Sequence, residues 1–199
     1  ARPTGSFALQ QVGQDVVLNY TIASSDATWE GTVNNGWSTN GNWSVSAPGS
    51  GNEATFNGSG NGNTSINLGG GVTVSNIYFQ DGTVAAYTIG TGGAGAQSLT
   101  IEDEIRVWAT AGNSQVVDAN VTLANDGTIR NNSATETLTV NGNVTASTKQ
   151  LTLGGLDNGG QISLTGTGNE WGAETIVQGV EVTANSVSTN NLNIWRGTV

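Results

Sequence analysis

The chain has 199 residues, two prolines and a formal net charge of -10, from 15 acids against five bases. Four arginines and Lys149 cannot build a basic patch, which excludes nucleic acid and insertion into an anionic membrane surface. Cysteine and histidine are absent, so disulfides, thiolate or imidazole metal sites and Ser-His-Asp or Cys-His catalysis are excluded too.

Only 10% of the residues are charged, whereas 35% are apolar. Gly, Thr, Asn and Ser carry the surface instead. Such a surface suits stacked strands, because like charges repeated on every layer repel while Asn and Thr ladders hydrogen-bond along a stack. No apolar run approaches the length of a bilayer span. The chain has no Met and no signal peptide remains. The expectation is a mature secreted chain, extracellular or at the cell surface, with its signal peptide already removed and no cofactor.

Residues 5–22 read as two strands joined at Gly13-Gln14-Asp15. Phe7 and Leu9 alternate with polar neighbours, and Val16, Leu18 and Tyr20 do the same after the turn, a period of two that predicts a hairpin. Residues 23–65 differ. Trp29, Trp37 and Trp43 sit among Gly, Asn and Ser, and Phe56 follows Pro48-Gly49. Two readings stay open: a small aromatic core closing the end of something larger, or an exposed platform for stacking on sugars.

From Ile66 onward short apolar-polar-apolar triplets recur: Val72-Thr73-Val74, Leu99-Thr100-Ile101, Ile105-Arg106-Val107, Val121-Thr122-Leu123, Leu138-Thr139-Val140, Leu151-Thr152-Leu153 and Ile162-Ser163-Leu164. Gly and Asn steps separate them, at uneven spacing. Helical spacing is absent; the one candidate, residues 109–120, is broken by Gly112-Asn113. Units of three to five residues with Gly or Asn corners favour stacked coils over the longer antiparallel strands of a sandwich. The predicted fold is all-β: a right-handed parallel β-helix (a β-solenoid) with an N-terminal β-hairpin extension, and a β-sandwich as the alternative. The predicted parts are a hairpin over 1–22, a Trp-rich cap over 23–65 and solenoid rungs over 66–199.

The run Ala27-Thr28-Trp29-Glu30-Gly31, then Asn35-Gly36-Trp37-Ser38, Asn42-Trp43-Ser44, Pro48 and Glu53-Ala54-Thr55-Phe56 resembles the opening of the autotransporter-associated β-strand repeat modules of large bacterial surface proteins of planctomycete and verrucomicrobial type. The run Ile162 to Gly179 resembles the repeat itself, with Trp171 where Tyr is usual and one extra residue between Gly166 and Asn169. Residues 7–21 resemble a module's closing strands. The resemblance implies a right-handed, passenger-like parallel β-helix at the cell surface; it does not imply an enzyme activity.

On that reading the last rungs, around Val187 to Ile194, lack a cap. An open solenoid end leaves main-chain groups unpaired and recruits another strand. Phe7, Leu9, Val16, Leu18 and Tyr20 of one copy would then meet Leu192, Ile194 and Trp195 of the next. Repeated head to tail, such a contact makes a filament of copies of the chain. The competing account is one module of a longer chain, its hairpin belonging to the module before. Two further functions stay open. One is a carbohydrate-binding adhesin that engages surface polysaccharide through Trp29, Trp37 or Trp43. The other is a polysaccharide-cleaving enzyme using the acidic run Glu102-Asp103-Glu104. That run is also the one weak calcium candidate, against the simpler reading of a solvated face or bulge. Gly90-Thr91-Gly92-Gly93-Ala94-Gly95 lacks the Lys-Ser/Thr of a phosphate loop and reads as a corner.

Overall fold

The structure, a computed structural model, describes residues 5–13, 15–22, 25–156, 160–186, 188 and 191–195. Strands β1 (Gly5–Val12) and β2 (Asp15–Ile22) pair antiparallel as a separate two-stranded sheet, turning at Gly13, whose φ of +65° suits a residue without Cβ. The rest is a parallel stack of about six turns. One side carries β3 (Ala27–Thr28), β4 (Glu53–Phe56), β6 (Val72–Phe79), β8 (Ser98–Val107), β11 (Gly127–Asn131), β14 (Gln150–Gly155), β16 (Glu174–Gln178) and β18 (Leu192–Trp195), in that spatial order. A second carries β5 (Ser65–Ile66), β7 (Thr88–Ile89), β9 (Gln115–Val117), β12 (Thr137–Val140), β15 (Gly160–Leu164) and β17 (Val180–Ala184). The third is short: the first halves of β6 and β8, then β10 (Asn120–Leu123) and β13 (Val144–Thr145). Every pairing within the stack's strands is parallel, which excludes the sandwich.

Two features explain the short triplets. Successive coils keep register, so Glu104, Thr128, Thr152 and Ile176 stand over one another at steps of 24 residues. Each triplet therefore points the same way as its neighbours. Ala54, Ile77, Ile105, Ile129, Leu153 and Val177 form one continuous inward row, all fully buried. β8 crosses a corner, where Glu102 and Asp103 bulge outward opposite the single residue Ser75 of β6. The acidic run is thus a bulge, and inward alternation resumes at Ile105.

Threonines stack within the ladders, and Asn side chains tie one coil to the next outside them. Thr100 lies over Thr122 and Thr122 over Thr145. The Asn131 Nδ2 donates to the carbonyls of Glu136 and Gln161, both at 2.7 Å. The Asn143 N–H donates to Asn120 Oδ1 at 2.9 Å, and Asn143 Oδ1 accepts from Gly168 N at 2.9 Å. Coils also touch so closely that some corners admit no side chain. A Cβ on Gly142 would land on the carbonyl oxygen of Ala119 in the coil before.

The solenoid begins earlier than the sequence boundary at 66. β3 already pairs with β4, and β4 with β6, so the Trp-rich stretch is the first coil rather than a separate cap. Among the described residues the only helical segments are 3-10 turns at Asn40–Asn42 and Gly60–Gly62.

Candidate assembly interface

The two ends of the stack differ. At the first coil Trp29, Trp37 and Trp43 are buried against Phe56. Trp43 meets Trp29 edge-on at 5.0 Å and Trp37 at 4.8 Å. All three indole N–H groups donate to main-chain carbonyls: Trp29 to Asn63 at 3.0 Å, Trp37 to Pro48 at 3.0 Å and Trp43 to Trp37 at 2.7 Å. These rings fill the end of the core, and that corrects the sugar-platform reading of Trp29, Trp37 and Trp43. A ring held on both faces and bonded at its one polar atom has no surface left for a glycan.

Among the described residues the last coil is uncovered on one side. β18 pairs with β16 on one edge, and among the described residues nothing pairs with its other edge. Leu192 lies over Thr175 and Ile194 over Val177, so both continue inward rows. Yet Leu192 is 38% exposed and Ile194 49% exposed, and among the described residues no further coil lies against them. Trp195 lies over Gln178 in the outward row and is also exposed. It belongs to the outer face, unlike the other two. Val187 lies outside the described residues.

The hairpin presents a matching surface. Leu9 pairs with Leu18, and Gln11 with Val16, so Leu9, Leu18 and Val16 share one face. Leu9 is 75% exposed and Leu18 60% exposed. The register sets Phe7 beside Tyr20 on that face; their side chains lie outside what the structure describes. β2 is bonded only to β1, so its other edge is free among the described residues.

The acidic run does not converge. The Glu104 carboxylate is buried and held by Arg106 Nη2 at 2.6 Å and Arg130 Nε at 2.9 Å. Glu102 faces the other way, accepting from the Ser50 hydroxyl and from the Gly51 N–H at 2.7 Å. These bonds, the Ser50 hydroxyl first, hold the Glu102 carboxyl below its ordinary range. Asp103 is exposed on the bulge. Among the described residues no group of three His, Cys, Asp or Glu side chains is placed to hold a metal. Glu102, Asp103 and Glu104 are therefore corrected as a calcium site. The carboxylates of Glu102 and Glu104 are taken up by Ser50, the Gly51 N–H and two arginines, and the bulge turns Asp103 away. The same divergence removes the acid–base pair that a glycosidase reading of this run requires.

Arg106 does more than neutralise Glu104. Its guanidinium lies 5.6 Å from the Tyr78 ring centre and 5.2 Å from that of Trp108. Sequence reasoning passed over Trp108. The signal was present: two residues past Arg106 in an alternating strand, it shares the outward face.

No protein-family model, curated protein or solved structure matches this chain.

Proposed function

We propose that this chain is a non-catalytic structural protein of an extracellular or cell-surface assembly, joined end to end with copies of itself by β-strand addition. The observation that carries the reading is the inward row that runs buried through the stack and emerges uncovered at Leu192 and Ile194. A core row that ends in solvent costs what burial would have gained, and one more strand of matching period recovers it.

β2 has that period. Setting it parallel to β18 with Leu18 over Leu192 brings Asn19 over Asn193 and Tyr20 over Ile194. Like then stands on like, as Thr128 stands on Thr152 within the chain. The free edge of β2 supplies the main-chain partners, and β1 covers its other edge. The contact is heterologous, one end against the other, so repetition extends it into a filament. Charged residues are only 10% of the chain, so few like charges stack on one another, whereas the net charge of -10 opposes association and is screened by salt. The resemblance to autotransporter-associated repeat modules supports a surface location and a structural role.

Sedimentation velocity of the purified chain over a wide concentration range, with electron microscopy of the concentrated sample, tests this. Concentration-dependent growth into fibres of uniform width is expected. A chain that stays monomeric throughout overturns the proposal and favours a single module whose hairpin completes a neighbouring module of the same polypeptide.

A further inference from the structure

A second surface feature lies away from β18 and the hairpin. Phe56, Phe79 and Val107 stack in register at the end of the first sheet. The ladder continues one residue further, with Gln80 N donating to Phe56 O at 2.8 Å and Trp108 N to Phe79 O at 2.9 Å. Asn57, Gln80 and Trp108 thus form a short outward column. Together with Asp81, Gly82 and Thr110 they line an open groove of about 580 Å³.

Trp108 is 38% exposed in this groove. Its ring is fixed from behind: Tyr78 packs edge-on at 6.3 Å and the Arg106 guanidinium sits 5.2 Å away. Arg106 is itself anchored to Glu104 at 2.6 Å. The indole is therefore a preorganised flat surface rather than a swinging side chain.

The polar groups around it are uncommitted. By contrast, in the groove lined by Asn120, Asn141 and Asn143 each side-chain amide bonds another coil or corner. Among the described residues the side chains of Asn57, Gln80 and Thr110 and the Trp108 indole N–H take no intramolecular hydrogen bond, and Asp81 uses one oxygen on Thr83 N at 3.2 Å. An exposed indole face beside two free amides, a hydroxyl and a carboxylate matches a pyranose. Its C–H face packs on an aromatic ring, and its hydroxyls both donate and accept.

We propose that the Trp108 groove is a binding site for a neutral glycan. The net charge of -10 disfavours polyanionic polysaccharides, and Arg106 is already neutralised by Glu104. The site does not depend on self-assembly.

The full chain is applied to an array of neutral oligosaccharides and run through native gels containing laminarin, galactomannan or arabinoxylan. At least one of these probes is expected to bind it. Trp108→Ala and Gln80→Ala are each expected to weaken that binding about tenfold or more. Gln80→Ala keeps the wild-type melting temperature, which separates loss of contact from loss of fold. Trp195→Ala, an exposed tryptophan outside the groove, binds as wild type. The proposal is overturned if no neutral glycan binds, or if both groove variants bind as tightly as the parent chain.

Discussion

Replacing Leu192 and Ile194 together by serine isolates the uncovered end of the core. Burying a Leu or Ile side chain from full exposure contributes about 1.5–3 kcal/mol. In the single chain Leu192 already hides most of its surface and Ile194 about half, at 38% and 49% exposure. What a docking strand still covers is then roughly 2 kcal/mol for the pair, or about 30-fold in the dissociation constant of each junction. The share already hidden in the single chain, a little over half of each side chain, counts towards folding and not towards association. Folding of the single chain is therefore expected to lose roughly 2–3 kcal/mol as well, less than a fully buried pair would cost. Sedimentation velocity measures the first quantity and calorimetry the second. Leu18→Ser on the donor side, at 60% exposure, adds roughly 1 kcal/mol to the loss of association. An association constant unchanged in the double variant refutes the end-to-end contact.

Glu104→Gln leaves Arg106 and Arg130 facing a neutral amide; with both arginines partly solvated, urea denaturation is expected to show a loss of about 1–3 kcal/mol. Gly142→Ala forces a methyl group onto the Ala119 carbonyl and separates two coils, so the thermal midpoint is expected to fall clearly, and a neutral result would mean the corner relaxes. Burial pushes the Tyr87 hydroxyl up to about 12. The folded chain therefore holds that proton where the unfolded chain releases it, and its stabilising effect is complete below pH 10 and lost as the pH climbs towards 12. Alkaline titration followed by circular dichroism is expected to show unfolding in that window, and Tyr87→Phe to weaken the dependence.

The parallel stack was legible because its signal is local. Triplets such as Leu151-Thr152-Leu153 show inward and outward faces without knowledge of what lies above them, and register then multiplies one triplet into a row. The start of the solenoid was not legible. β3 and β5 are two residues long, too short for alternation to show, and their membership depends on pairing with distant strands. The same limit explains the tryptophans. Trp29 follows Ala27-Thr28 and Trp108 follows Arg106-Val107, similar small or alternating neighbours, yet one is buried and the other exposed. What decides is whether a coil folds over the ring, a non-local fact. The acidic run stayed open to a metal reading because adjacency in sequence suggests convergence; the bulge at residues 102–103, the simpler reading, turns the three carboxylates apart.

The stacking of coils at a step of 24 residues also has a mechanical side. Main-chain bonds between coils run along the stack, so tension applied from end to end pulls them open one layer at a time instead of shearing many at once. Each layer contributes about 4.8 Å to the stack's length but releases roughly 80 Å of slack chain when it peels away. A body made this way yields in many small steps under load, dissipating work at every one, and the layers left behind keep their own pairing.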